Sequence, residues 1–135
     1  MTEITRIVVH RRFTLLNIFE KGEVMCGIHF VLATTYKEAH KEETYVEFDE
    51  GIHSYLLIKE KDSTLSFGLL LNLDIYGETI LYRDEISELM GICDCLINKY
   101  TKGHKDQEVR RFAKELKSIC LEALQRKKYI FALGD

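Results

Sequence analysis

Near residue 83 the spacing of apolar residues changes from two to about three and a half, and this switch constrains the fold more than any other feature of the chain. Before it, side chains alternate. Ile7, Val9, Phe13, Leu15 and Phe19 share one parity, interrupted by Arg11 and Asn17, which predicts a strand bent or split near Arg11-Arg12. In the next run Val24, Cys26, Ile28, Phe30 and Leu32 occupy one face, and Met25, Gly27, His29, Val31 and Ala33 the other. Both faces are largely apolar, as in a central strand. Residues 36–43 are charged and read as a helical turn or a loop. Thr44 to Phe48 favours a strand, and Asp49-Glu50-Gly51 reads as a hairpin turn into a second strand over 52–59. The cleanest alternation is Leu65, Phe67, Leu69, Leu71 and Leu73, with Leu70 the exception on the polar side. Residues 79–82 add a short strand.

After the switch, Ile86, Leu89, Cys93, Leu96 and Tyr100 step by three and four, which predicts an amphipathic helix over about 84–100. Asp84 suits its N-cap and Gly103 its stop. Asp106 can cap a second helix whose stripe is Val109, Phe112, Leu116, Ile119 and Ala123. Residues 129–133 fit either a last helical turn or a strand returning to the sheet. The expectation is an α+β fold, a single domain over 1–135: an antiparallel sheet of about five strands with two C-terminal helices packed on one face. Phe67, Leu69, Ile86, Leu89, Phe112 and Leu116 should lie buried between sheet and helices.

A chain of 135 residues with 46% hydrophobic and 30% charged residues has the balance of an ordinary globular domain, not of a disordered segment. Residues 1–6 lack an apolar core followed by small residues, so no signal peptide is expected, and no run approaches the length of a membrane span. The expected location is the cytoplasm. Cys26, Cys93, Cys95 and Cys120 are therefore expected as unpaired thiols.

Motifs that would fix a chemistry are absent. The chain has no glycine-rich phosphate loop, no GxSxG and no HExxH. Cys93 and Cys95 stand two apart, on nearly opposite sides of a helix, and cannot share a zinc ion there. A nucleophilic pair of Cys26 with His29 or His53 would need a lowered thiol pKa that nothing local supplies. His40 and Glu43 could bind a metal if helical, but Lys37 and Lys41 make a solvated face the simpler reading. No catalytic residue, metal or cofactor is assigned, and the chain is not read as an enzyme.

The charge map says more. Residues 38–50 hold Glu38, Glu42, Glu43, Glu47, Asp49 and Glu50 against Lys41 alone, and residues 74–94 hold six acids against Arg83 alone, a net of −5 each. Residues 99–128 carry a net of +6. The plain alternative is that these are solvated faces set by helix capping. Otherwise the acidic stretches form a patch that steers a basic partner.

Small size, acidic segments, no catalytic signature and a sheet followed by two helices resemble the immunity proteins of bacterial toxin systems, the contact-dependent inhibition and polymorphic toxin type. The resemblance covers the whole chain in layout and character and rests on no diagnostic motif. It implies a protein that binds and neutralises a cognate toxin or other basic protein, here through Glu38, Glu42, Glu43, Glu47, Asp49 and Glu50. A second reading is binding of nucleic acid or an acidic partner through Lys105, Arg110, Arg111, Lys114 and Lys117. The net charge of −3 and the lack of basic residues on the best strand weigh against it. A third is a small-molecule site or enzyme between sheet and helices. A homodimer through a sheet edge or helix stripe stays open.

Overall fold

The computed structural model describes residues 27–63 and 65–134. The predicted strands over 4–19, and the start of the run at Val24, lie outside them. Gly27–Ala33 forms β1, Tyr36–Lys41 α1, Val46–Asp49 β2, Glu50–Lys59 α2, Gly68–Leu71 α3, Glu78–Leu81 β3, Arg83–Lys99 α4, Gly103–Arg126 α5 and Tyr129–Leu133 β4. Every strand pairing is antiparallel, in the order β2-β1-β4-β3. β1 is central, as its two apolar faces require, and Phe30 stands between Val46 and Ala132. The final apolar segment is the returning strand β4, seated between β1 and β3.

The fold class is α+β with an antiparallel sheet. Four strands, not about five, occur among the described residues, and the two long helices are followed by a strand instead of closing the chain. α4 and α5 cover one face. Their stripes bury Ile86, Leu89, Cys93 and Leu96, and Val109, Phe112, Leu116 and Ala123. These meet Ile28, Phe30, Phe48, Leu81, Ile130 and Ala132 of the sheet. Phe48 lies parallel on Phe112, with centroids 4.7 Å apart, and ties the β2 edge to α5. On the other face α1 packs Ala39 with Val31, Ala33, Tyr45 and Phe131. Of the six predicted core residues, Leu69 is only partly buried and the other five are buried.

Two predicted strands are helical. Residues 52–59 lie in α2 because Asp49 caps it, accepting the Ile52 N–H at 2.9 Å. The segment read as a hairpin turn is thus an N-cap and a first turn. Ile52 and Leu56 share a parity, but they are also four apart, and both are buried. In the alternating run 64–73, Leu70 is fully buried and Phe67 nearly so, whereas Leu65 is 47% exposed. The residue that broke the alternation reveals the helical step of three, realised in the single turn α3.

Helix ends also differ from expectation. α4 starts at Arg83, and Glu85 accepts the Tyr82 N–H at 3.0 Å. Gly103 does not stop α4 but opens α5 with φ 86°, a left-handed conformation that lets three residues reverse the chain. Asp106 is not the cap of α5. It sits in the first turn and accepts the Lys102 N–H at 3.0 Å. Lys127, after α5, is left-handed at φ 57°, which costs a lysine about 1 kcal/mol relative to glycine.

Candidate interaction surface

The six acidic residues singled out from the sequence do not form one cluster. Glu38 accepts hydrogen bonds from the Thr34 hydroxyl at 3.0 Å and from Lys128 at 3.4 Å. The Thr34 hydrogen bond is the largest influence holding its carboxyl below the usual value. Glu42 accepts the Thr44 N–H at 3.1 Å. Glu38 and Glu42 line a groove beside α1 together with Lys37 and Lys41, so charge there is balanced. Glu43 is exposed between α1 and β2, and Glu50 is exposed in the first turn of α2. Asp49 is the α2 cap.

Glu47 and Asp49 belong to a different groove, about 430 Å³, along the β2 edge. Its far wall is α5, which contributes Glu108, Arg111 and Glu115, with His104 at the mouth and Ile52 and Phe112 in the lining. Glu108 and Glu115 are seven apart, two turns of helix, and so share a face. Sequence reasoning missed them because they sit inside the net positive segment. The signal that could have found them is their phase: both flank the buried stripe on the side that faces β2. Four carboxylates thus oppose one guanidinium in a single concavity. Glu108 is itself 3.2 Å from His104 and 3.8 Å from Lys105.

The acidic segments 38–50 and 74–94 do not merge through the sheet, because β2 and β3 are its opposite edges. His40 pairs with Glu78 at 2.8 Å across this distance and is therefore turned toward β3. The basic residues of the second reading are dispersed too. Lys117 is paired with Asp94 at 2.7 Å, Lys105 is near Glu108, and Arg111 lies in the acidic groove. Arg110 is half-buried, and its Nε has no hydrogen-bond partner among the described residues. Lys114 is exposed.

Cys93 and Cys120 are buried free thiols, and Cys95 is free and exposed, on the opposite side from Cys93 as their spacing requires. Burial pushes the Cys93 thiol up to about 12 and raises Cys120 as well, the reverse of an activated nucleophile. Cys26 lies outside the described residues. His53 is buried against Phe48 and donates Nε2–H to the Leu71 carbonyl at 2.9 Å, while His29 stacks on Tyr45. No three His, Cys, Asp or Glu side chains converge as a metal site among the described residues, and no helix there is long and apolar enough to cross a membrane.

A buried polar junction joins α2 to the α4–α5 turn. The Glu60 side chain, 2% exposed, accepts the Tyr100 hydroxyl and pairs with Lys99 at 2.9 Å. Asp106 accepts the Tyr55 hydroxyl at 2.6 Å besides the Lys102 N–H. Burial works to raise the Glu60 carboxyl, but the bonds from Tyr100, Lys99 and Ser63 outweigh it and hold it below its ordinary value. The Tyr55 hydrogen bond does the same for Asp106. Each carboxylate is thus matched by its own donors, Glu60 by Tyr100 and Lys99 and Asp106 by Tyr55 and the Lys102 N–H, which is the pattern of a structural tie between helices.

Against known protein families, curated proteins and solved structures, the chain finds no match.

Proposed function

We propose that this is a binding protein that docks and neutralises a basic protein partner, in the manner of the immunity proteins whose layout it resembles, through the groove between β2 and α5. The observation that carries the reading is the convergence of Glu47 and Asp49 with Glu108 and Glu115 around one concave surface. Two elements far apart in sequence supply the same sign of charge to one place. A concavity with an excess of one sign, here four carboxylates to one guanidinium, concentrates field toward an oppositely charged ligand and raises the rate of encounter. The buried contact of Phe48 on Phe112 holds the two walls in fixed relation, so a partner meets a preformed shape.

Arginine or lysine side chains of a partner fit such a groove, with Arg111 limiting where they enter. The Glu43 and Glu50 carboxylates, exposed nearby in sequence, extend the field beyond the groove. Truncating one central carboxylate that becomes desolvated in the complex would cost about 2–5 kcal/mol of affinity. The test is co-purification from native cells at low and moderate salt with wild type and with Glu108→Lys/Glu115→Lys. The double variant should keep its fold, because partly exposed charges contribute about 0–1 kcal/mol per pair. It should lose the basic partner first at moderate salt. A partner retained equally by both proteins removes the groove from the argument.

A further inference from the structure

At the opposite end of α5 from the acidic groove's mouth, three segments meet: the end of α5, the start of α4 and the start of β4. Arg83, Lys127, Lys128, Tyr129, Ala123 and Leu124 line a concavity of about 230 Å³ there. Three cationic residues line it and no carboxylate residue does. Arg83 and Lys127 are exposed and make no ion pair among the described residues, while Lys128 is also 3.4 Å from Glu38. Ala123 and Leu124 give it an apolar side. Tyr129 stands at the rim, held edge-to-face by Tyr82 with centroids 5.1 Å apart at 74°. Both rings are substantially exposed, at 38% and 51%.

We propose that this concavity binds a phosphate group carried next to an aromatic base, the chemistry shared by a free nucleotide and by single-stranded nucleic acid. Arg83, Lys127 and Lys128 would take the phosphate, and the Tyr129–Tyr82 pair would stack the base. The C-terminal carbonyls of α5 would by themselves repel an anion. Here the last turn is partly closed, since the Ala123 carbonyl accepts the N–H groups of Lys127 and Lys128.

The backbone at Lys127 is an independent observation. The left-handed position after a helix favours glycine, yet this chain keeps a lysine there at φ 57°. Strain that a glycine would remove is retained where the side chain is one of the cations facing the concavity. The site is separate from the acidic groove and does not rest on the partner proposed for it.

Fluorescence anisotropy with a fluorescein-labelled ten-residue oligothymidylate tests the proposal, with circular dichroism and melting to verify each variant's fold. Three phosphate contacts predict a slope of log affinity against log salt of about −2. Lys127→Gly should melt at or above wild type while binding more weakly, with the slope reduced to about −1.4. Arg83→Gln should act likewise on binding. Tyr129→Leu should weaken binding about tenfold and leave the slope unchanged. Competition by adenosine monophosphate would identify a free nucleotide as sufficient, and its failure to compete would identify a strand as the ligand. The proposal is overturned if neither probe binds wild type at about 50 mM salt, or if Lys127→Gly and Arg83→Gln bind as wild type. It is also overturned if polyglutamate displaces the oligonucleotide as well as a nucleotide strand does, or if Lys114→Gln loses as much as Lys127→Gly.

Discussion

Among the described residues, Glu60 and Asp106 are buried carboxylates through which pH acts on this fold. Both carboxyls are held below their ordinary values, so their stabilisation is present above the unfolded carboxylate range and is lost as pH falls through the folded values. Tyr100 and Tyr55 are shifted the other way: burial is the main cause for Tyr100 and the Asp106 hydrogen bond for Tyr55. Their contribution is present below the ordinary tyrosine value of 10.0 and is lost as pH rises through the raised folded values. Urea midpoints should therefore fall on both sides of a neutral plateau. Glu60→Gln should lower the plateau and flatten the acid limb as pH falls below the ordinary carboxylate range. An acid limb as steep in the variant as in wild type would show that Glu60 is not the group titrating. None of this was legible in the sequence. Glu60 lies between two lysines and reads as surface, and its partners stand about forty residues away. Asp106 was legible only as a helix-start residue, and its bond to Tyr55 depends on how α2 lies against the α4–α5 turn.

The long helices were legible because amphipathic stripes of four or five residues leave little freedom in phase, and Cys93, Leu96, Phe112 and Leu116 fall where that phase requires. α2 was not, for a definite reason. Its apolar residues surround it, with Ile58 74% exposed and Leu57 47%, so neither period stands out. Its start signal, Asp49 followed by Glu50, was read as a turn because glycine follows. Asp49 caps α2 while also lining the groove between β2 and α5. The hydrogen bond to Ile52 makes it a cap. Asp49→Ala should cost about 1 kcal/mol of stability in the absence of any partner, measured as a shift in the denaturant midpoint without a change in slope. An unchanged midpoint would leave Asp49 a surface carboxylate and α2 without the cap assigned to it. Glu47 differs, because it lies within β2 opposite His29 and has contacts of its own. Glu42 and Glu38 are committed to local hydrogen bonds, which sequence spacing cannot distinguish from free charge.

Over the whole molecule, two surfaces of opposite charge lie at different points along α5. Glu108 and Glu115 line the β2 groove near the start and the middle of the helix, and Lys127 and Lys128 follow its end. The net charge of −3 conceals these two surfaces, and so does the net of +6 over residues 99–128, which sums Glu108 and Glu115 with the cations around them. Rise per residue places Glu115 and Lys127 about 18 Å apart along the axis. That separation exceeds the Debye length of about 8 Å at physiological salt but lies within the roughly 30 Å of a 0.01 M solution. The two surfaces should therefore be electrically independent in the first condition and coupled in the second. Replacing Glu108 and Glu115 by lysine removes negative potential from the whole helix. At low salt it should strengthen oligonucleotide binding at the Lys127 end, because the anion then approaches a more positive molecule. At physiological salt the same variant should bind within a factor of about two of wild type, since screening removes the long-range contribution. Anisotropy titrations of both proteins at the two salt concentrations measure this directly. An equal gain at both would mean that the new lysines contact the strand themselves, and the oligonucleotide would then run along α5 instead of ending in the pocket beside Tyr129.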